Sequence, residues 1–466
     1  MSSSKLVTYD SPALVQVLEV IPSQDWQRSW PYNCTGMLRL TCTSVKNAID
    51  THIKPLTSIT VTNVYDTVKQ KEDFINLLET SRRFNITTLI LAGCKYEISD
   101  FEQLGEVLKQ CRHLVALNLS KNDLGDYGLK TIAKNLSSCL ALIELDLSHN
   151  DIGVSGIESL TGVLEQCQEL RHVNFLGNQI GDEGVGIFVD AIAGCPNIAT
   201  IVLGANNIGP KGIKKFVRKM KHWPKLSNLN LCFNQIGPEG VRILATELQR
   251  CTELQRCLEL SRINLASNQI GLKGIEHLAL VLPNLPLIRI NLYNNQIGDD
   301  GSEILANALI KCTQLIELNL ASNQIGDNGA YSIGKMLYQC PELRSLSIGS
   351  NQFDYQGFES IASAIGKCSL TNLDLSYNKF GDDGIEIFAN MLEECSLKVL
   401  NLSGNNISDD GLDSIGIVLL QCPRLRRLYL DYNLISDMAS IIVTNVLSED
   451  YPELVCTHSS NFNTTE

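Results

Sequence analysis

The sequence lacks long apolar runs and is poor in aromatic residues. No run of about 18 apolar residues, the least that a membrane-spanning helix needs, occurs anywhere in the chain. Aromatic residues make up 6% of its 466 residues, and three of them are tryptophan. Met1 to Pro22 also lacks a basic stretch followed by an unbroken apolar core, as a signal peptide would have. We therefore expect no membrane span and no targeting segment, and a cytoplasmic protein, either in the cytoplasm or nucleus of its own cell or in a host cytoplasm if it is delivered as an effector.

Basic residues are in deficit. The chain has 38 Lys and Arg against 51 Asp and Glu, which gives a formal net charge of −13. Such a balance argues against binding of nucleic acid or of an anionic membrane along the whole chain, although local basic patches remain compatible with it. We expect protein partners and no nucleic acid.

Catalytic and metal-binding motifs are lacking as well. The seven histidines form no H-E-x-x-H pattern, and the cysteines form no C-x-x-C pattern. Gly329 to Met336 imitates a phosphate-binding loop, but Met336 stands where a Ser or Thr would bind magnesium. We expect no cofactor, no metal and no enzymatic activity.

The chain does contain one motif many times: L-x-x-L-x-L-x-x-N-x-[ILF]-x-x-x-G. Steps of 27 or 28 residues separate successive copies, with a single step of 34 residues. A fixed period of this size is typical of a solenoid, in which each unit buries its apolar face against its neighbours. The motif asparagines are Asn122, Asn150, Asn178, Asn206, Asn234, Asn268, Asn295, Asn323, Asn351, Asn378, Asn405 and Asn433.

Each repeat predicts a short strand, a turn and a helix. Leu117 and Leu119 have strand spacing, whereas Leu129, Ile132 and Leu136 recur at helix spacing. The motif asparagine lies at the turn, where its amide can satisfy backbone groups. Residues 246–257 read Thr-Glu-Leu-Gln-Arg-Cys twice, and this duplication accounts for the 34-residue step.

Acidic pairs precede the motif glycine in several repeats. We interpret these pairs as groups that complement the exposed amides at the N-terminus of their own helix, rather than as a metal site. They are Asp182-Glu183, Asp299-Asp300, Asp382-Asp383 and Asp409-Asp410.

Cysteine occupies one repeat position, at the end of the helical stretch. Equivalent positions on neighbouring helices are expected about 8–10 Å apart, which is farther than a disulfide bridges. We therefore predict buried, reduced cysteines in a reducing compartment. They are Cys111, Cys139, Cys167, Cys195, Cys251, Cys257, Cys312, Cys340, Cys368, Cys395 and Cys422.

The motif and its period resemble the ribonuclease-inhibitor class of leucine-rich repeats. The resemblance covers about residues 85–447 and implies an α/β solenoid shaped as a horseshoe, with parallel strands on the concave face and helices on the convex face. Members of this class inhibit ribonucleases, activate Ran GTPase, sense ligands or serve as scaffolds. We expect a scaffold that binds a protein partner on the concave face.

We expect the concave face to carry a column of mostly amide side chains. Arginine or aromatic residues stand out on this face in two places. The column reads Asn118, Asp146, Asn174, Val202, Asn230, Asn264, Asn291, Asn319, Ser347, Asp374, Asn401 and Tyr429. Arginine and aromatic side chains dominate the energetics of protein interfaces, so the residues at these two places are candidate contacts. The candidate partner-binding residues are Arg262, Arg289, Asp374, Tyr377, Arg427, Tyr429, Asp431 and Tyr432.

The convex face is expected to carry a basic patch on the helix that starts near Gly212. Its members are Lys211, Lys214, Lys215, Arg218 and Lys221. The patch is interpreted either as a solvated helix face or as a site for phosphate or for an acidic partner.

The residues before the repeats resemble an F-box. By that resemblance, Ile21, Pro22, Leu38, Leu40 and Val45 would bind the adaptor of a cullin-type ubiquitin ligase, and the array would act as substrate receptor. The alternative is a helical cap on the first repeat. The predicted organisation is a disordered start (1–10), this F-box-like or capping segment (11–52), degenerate first repeats (53–110), leucine-rich repeats (111–448) and a cap with a polar tail (449–466).

Other functions of the same class remain as alternatives. A Ran GTPase-activating protein would carry an arginine on an early repeat loop, but the corresponding loops, Ala92 to Lys95 and Ser120 to Asp123, contain none. A ribonuclease inhibitor would present an anionic, tryptophan-rich concave face, whereas this one is rich in amides. A regulatory, ligand-sensing or inhibitory role is the alternative to the scaffold.

Overall fold

The computed structural model describes residues 58–62 (backbone alone), 86–94, 98–254, 259–391, 395–439 and 453–457. The chain divides into two compact units, residues 1–198 and 199–466. The predicted helical segment 11–52 and the tail lie largely or wholly outside the described residues. None of the helices in the described ranges is long and apolar enough to cross a membrane.

The first unit alternates strands and helices. Its parallel strands pair in chain order, and residues 28 apart are partners from β2 onward. The elements are β1 (Ser58–Thr62), β2 (Thr88–Ala92), α1 (Ile98–Leu108), β3 (Ala116–Asn118), α2 (Gly125–Leu136), β4 (Glu144–Asp146), α3 (Val154–Leu164), β5 (His172–Asn174), α4 (Gly181–Ala191) and a 3-10 turn (Ile192–Gly194).

The second unit repeats the same arrangement, again with parallel strands paired in chain order. Its elements are β6 (Thr200–Val202), α5 (Pro210–Val217), β7 (Asn228–Asn230), α6 (Gly237–Glu253), β8 (Arg262–Asn264), α7 (Gly271–Val281), β9 (Arg289–Asn291), α8 (Gly298–Leu309), β10 (Glu317–Asn319), α9 (Asp327–Leu337), β11 (Ser345–Ser347), α10 (Tyr355–Ile365), β12 (Asn372–Asp374), α11 (Gly381–Met391), β13 (Val399–Asn401), α12 (Leu412–Gln421), β14 (Arg427–Tyr429) and β15 (Val455–Thr457). Three 3-10 turns (Met220–His222, Leu282–Asn284 and Asp409–Gly411) complete it.

The core lies between the strands and the helices of each unit. The central residue of every three-residue strand from β3 to β13 is buried, as in Leu117 and Ile263. The helices bury residues at helical spacing, as in Leu129, Ile132 and Leu136 of α2. The flanking residues of most later strands, such as Arg262 and Asn264, are half-buried on the opposite side, whereas those of β3 and β4 are buried. We call that side the strand face and the outer side of the helices the helix face.

Gly334 shows how closely neighbouring helices pack. A Cβ atom at this position of α9 would lie 2.5 Å from the carbonyl oxygen of Ser360 in α10. The segment Gly329 to Met336 is helix throughout. Its second glycine, Gly334, leaves the space that α10 needs to pack closely against α9.

Within each unit, hydrogen bonds link motif asparagines of successive repeats, as from the Asn150 N–H to Asn178 and from the Asn295 N–H to Asn323. In Asn295, which is fully buried, Nδ2 donates to the carbonyl groups of Leu265 and Leu292, at 2.9 and 3.1 Å. Its Oδ1 accepts from the backbone N–H of Asn268 at 2.9 Å. The Asn295 amide thus satisfies the backbone of its own turn, as the sequence predicted, and also links that turn to the preceding repeat.

A longer helix, α6, accommodates the 34-residue step. The helix α6 has 17 residues, whereas the other helices have 8 to 12. The strand register continues across the longer step, because Asn228 in β7 pairs with Arg262 in β8.

The acidic residues act on a second helix that sequence reasoning did not anticipate. Asp299 lies in the first turn of α8, but its Oδ1 accepts from the backbone N–H groups of Gly326 and Gly329, at 2.6 and 3.0 Å, where α9 begins. Asp382 likewise accepts from the backbone N–H of Ser408 in the next repeat. The first acid of these pairs caps the helix of the following repeat.

The prediction that all the cysteines are unpaired was wrong at one place. Cys395 and Cys422 form a disulfide with Cα atoms 5.2 Å apart, far less than the spacing of neighbouring helices. Cys395 and Cys422 lie beyond the last residues of α11 and α12, where the chain turns back toward the sheet, so their spacing follows the strands. Accordingly, the Cys139 thiol reaches the Cys111 carbonyl oxygen at 3.4 Å.

Six of the other predicted cysteines are free and buried: Cys111, Cys139, Cys167, Cys195, Cys312 and Cys340. Burial raises the pKa of the Cys139 thiol to about 12, and the neighbouring Cys111 and Cys167 add to this shift. Burial likewise raises the pKa of Cys195 to about 11. The prediction of buried thiols therefore holds for these positions.

Candidate functional site

The amide column of the strand face is largely engaged within the chain. Asn264 and Asn291 each accept, through Oδ1, the backbone N–H two residues later, at 3.1 and 3.0 Å. Asp374 accepts from Ser376 through Oδ1 and from Ser347 through Oδ2, at 2.7 and 2.9 Å. The column therefore holds the strand-to-loop turns, and the predicted contact residue Asp374 already has partners for both oxygens.

Two predicted arginines lie side by side on the strand face. Arg262 in β8 and Arg289 in β9 are register partners, and Arg289 is in turn the partner of Glu317 in β10. The Nε atom of Arg289 lies 3.2 Å from Oε2 of Glu317. Partial burial and the adjacent Arg289 charge lower the pKa of Arg262 below its ordinary value, while Glu317 opposes this shift. We call Arg262 and Arg289 the arginine pair.

Two predicted tyrosines meet at the loops that follow the strands. Tyr377 and Tyr432 are two repeats apart, yet their ring centroids lie 6.0 Å from one another. Gly404, in the repeat between them, makes this possible, because a Cβ atom there would come within 2.5 Å of the Tyr377 ring. The rings remain 49% and 41% exposed. We call Tyr377 and Tyr432 the tyrosine pair.

The remaining predicted residues of the C-terminal cluster lie near that pair in the chain. Arg427 is exposed and Tyr429 is half-buried, both on β14. Asp431 accepts a hydrogen bond from the Thr457 hydroxyl. Partial burial, Tyr432 and the Asp431 carboxylate together raise the pKa of Tyr377.

The predicted basic patch lies on the helix face. Lys211, Lys214, Arg218 and Lys221 are exposed and Lys215 is half-buried. Ile213, Phe216 and Met220 of the same segment are buried, and the rings of Phe216 and Trp223 pack with centroids 5.6 Å apart. The patch therefore sits on a well-packed element.

A shallow cleft of about 170 Å³ adjoins the basic patch. It is lined by Arg218, Lys221, Glu247, Arg250, Cys251 and Leu254. Glu247 lies 4.0 Å from Arg250 and supplies an acidic group within the cleft. This mixture of charges makes the cleft less specific for an anion than the patch alone would be.

Other predicted residues lie outside the described residues. Ile21, Pro22, Leu38, Leu40 and Val45 of the F-box-like segment belong to this group, as does Cys257. Across the described ranges, no group of three or more His, Cys, Asp and Glu side chains could hold a metal ion.

Sequence reasoning missed the left-handed backbone conformation of the two tyrosines. The residue before each motif asparagine has a positive φ, for example 53° at Tyr377 and 58° at Tyr432. The glycines at the same repeat position, Gly177 and Gly404, were the available signal, because glycine adopts left-handed backbone without steric cost.

The sequence matches the family described as "Leucine Rich repeat" over six segments: residues 110–133, 138–160, 166–186, 311–334, 366–389 and 394–416. No curated protein matches the chain. Among solved structures, an internalin from Listeria monocytogenes is 20% identical, with a TM-score of 0.48 over 85% of this chain and 96% of its own. A chain of the yeast complex of Rad7 and Elc1 is 15% identical, with a TM-score of 0.42 over 83% of this chain and 92% of its own.

TLR13, in a complex with the RNA ssRNA13, is also 15% identical, with a TM-score of 0.42 over 90% of this chain and 62% of its own. With its parallel strands, alternating helices and matched repeats, the chain is a leucine-rich-repeat solenoid. Its subclass within these repeats stays a prediction.

Proposed function

We propose that the chain is a protein-interaction scaffold that binds a protein partner on its strand face and on the loops that follow the strands, with the tyrosine pair as a principal contact. The observation that carries the proposal is the exposed contact between Tyr377 and Tyr432. Paired rings offer a large and rigid contact area at small entropic cost, which is why tyrosine is common at the centres of interfaces.

The backbone supports a role beyond folding for these rings. The same repeat position holds Ser267 and Ser322, and also Lys121 and Phe233, all with positive φ. The turn therefore forms with side chains of very different size, so the tyrosines are not needed to form it. The proposal includes no catalytic step.

Comparative capture tests this proposal and also identifies the partner. Wild-type protein, a Tyr377→Ser/Tyr432→Ser variant and a Lys214→Glu/Lys215→Glu variant are used as baits in the same extract. We expect a protein that the wild type and the lysine variant retain and that the tyrosine variant loses. Retention by the tyrosine variant together with loss by the lysine variant would move the binding surface to the helix face.

We further propose that the segment 11–52 binds the adaptor of a cullin-type ubiquitin ligase, so that the array acts as substrate receptor. The support is the F-box-like pattern of Ile21, Pro22, Leu38, Leu40 and Val45. Leu38→Asp together with Leu40→Asp should abolish adaptor capture because it places carboxylates among apolar contacts.

Thermal melting of the same double variant separates binding from capping. An unchanged melting temperature with lost adaptor capture supports the receptor role. A strongly lowered melting temperature, or a wild type that never captures the adaptor, would make the segment a cap on the first repeat.

A further inference from the structure

The arginine pair is a costly arrangement for the fold. Like charges directly opposite one another on neighbouring strands destabilise a sheet, and Arg262 and Arg289 are direct register partners. The same row holds the uncharged Asn228 one strand before and Ser345 two strands after. Neither guanidinium is therefore required for strand pairing.

The chain compensates only part of this charge. Glu317 is engaged with Arg289, at 3.2 Å from its Nε atom. Within the part of the chain that the structure describes, the buried Nε atom of Arg262 has no hydrogen-bond partner. A buried donor that lacks a partner is unfavourable, so this side of the strand face is short of an acceptor.

The adjacent row offers further donors. Asn264 and Asn291 follow the two arginines on the same strands, and their Oδ1 atoms are occupied by backbone N–H groups. Among the described residues, no hydrogen bond engages the Nδ2 group of either side chain. Two guanidinium groups and two amide donors thus share one area of the strand face.

We propose that the arginine pair binds carboxylate groups of an acidic segment of the protein partner. A carboxylate accepts two parallel hydrogen bonds from a guanidinium group, which fits planar arginines better than a single point charge. It would bring an acceptor to the half-buried Arg262 side chain and relieve the repulsion between the two cations. The inference rests on the proposed function, since it names the chemistry of the partner bound by the same strand face.

Fluorescence anisotropy with a labelled oligoglutamate peptide, and an oligoglutamine peptide as control, tests this inference on the full chain at low ionic strength. Arg262→Gln should weaken oligoglutamate binding by about tenfold or more, because it removes one of the two guanidinium groups that bind carboxylates. Arg242→Gln is the matched control: Arg242 lies on the helix face, 2.6 Å from Glu239, and its loss should leave binding unchanged.

Glu317→Gln gives the sharpest readout, because a gain of binding does not arise from misfolding. This variant removes the carboxylate that competes for Arg289, so we expect oligoglutamate to bind several-fold more tightly than to the wild type. Equal binding by the wild type, Arg262→Gln and Glu317→Gln would overturn the inference.

Two further results separate this inference from its alternatives. Displacement of the peptide by inorganic phosphate at much lower concentration than by glutarate would overturn carboxylate recognition. A captured partner that depends on the tyrosine pair but binds Arg262→Gln as tightly as the wild type would overturn the inference and leave the proposed function standing.

Discussion

The buried asparagines show how single side chains hold the repeats together. Asn295 donates to carbonyl groups of two repeats and accepts a backbone N–H from the preceding repeat. The sequence predicted the position of this side chain at the turn, because an amide that recurs at a bend satisfies backbone groups. It did not reveal that each amide serves two repeats, since that depends on the strand register.

Asn295→Ala should lower the free energy of unfolding by about 3 kcal/mol, because each buried backbone group left without a partner costs about 1–3 kcal/mol. Asn307→Ala is the control. Asn307 is exposed on α8, where alanine favours the helix, so the change should stay within about 0.5 kcal/mol. Urea denaturation measures both, and equal effects would show that these hydrogen bonds are not a source of stability.

The burial of Glu144 predicts that the stability of the fold depends on pH. This side chain is 6% exposed on β4, and burial raises its pKa above the ordinary value of 4.5. The folded state therefore binds the proton more tightly than the unfolded state. Its contribution to stability is full below pH 4.5 and is lost as the pH rises through the folded-state pKa.

Glu144→Gln keeps the neutral form at every pH. We expect the variant to match the wild type at acidic pH and to become more stable than it as the pH rises toward neutrality. Glu158→Gln, at an exposed position of α3, should show no such divergence. Urea denaturation across the pH range gives the comparison, and a Glu144→Gln curve parallel to that of the wild type would refute the burial argument.

At the scale of the element, the helices depend on their neighbours for capping. Asp299 and Asp300 are adjacent in the first turn of α8, and a helix-dipole argument from the sequence treats them alike. The structure separates them, because only Asp299 is seen to accept N–H groups at the start of α9. Sequence spacing could not show this, since the accepted groups lie 27 and 30 residues away.

Asp299→Ala should cost about 1 kcal/mol of unfolding free energy, in the range typical of a lost N-cap. Asp300→Ala should cost no more than a few tenths of a kcal/mol, as expected for an exposed charge near a helix end. Amide hydrogen exchange at Gly326 and Gly329 should accelerate in the first variant alone. Equal exchange in both variants would show that Asp299 does not cap α9 and that both acids complement the N-terminus of α8.

The disulfide joins two neighbouring repeats. Alkylation of the denatured protein without reductant, followed by peptide mapping, should leave Cys395 and Cys422 unlabelled and label Cys139. Reduction should make the first two reactive. Labelling of Cys395 and Cys422 before reduction would restore the original prediction of unpaired cysteines.

At the scale of the molecule, periodicity was sufficient to predict the fold. Strand, turn and helix follow from the spacing of residues such as Leu117, Asn122 and Leu129, because each repeat obeys the same packing rule. The site was less accessible to sequence reasoning. The contact between Tyr377 and Tyr432 depends on the space left by Gly404, and the engagement of Asp374 depends on Ser347 in the preceding repeat. Both are contacts across repeats that spacing alone does not specify.

The central claim is that the strand face, and not the helix face, receives the partner. Hydrogen–deuterium exchange of the full chain, alone and with the partner retained by the comparative capture, tests this claim directly. The account predicts protection of peptides that contain Tyr377 and Tyr432 and unchanged exchange across α5. Protection of α5 with unchanged exchange at the two tyrosines would contradict it.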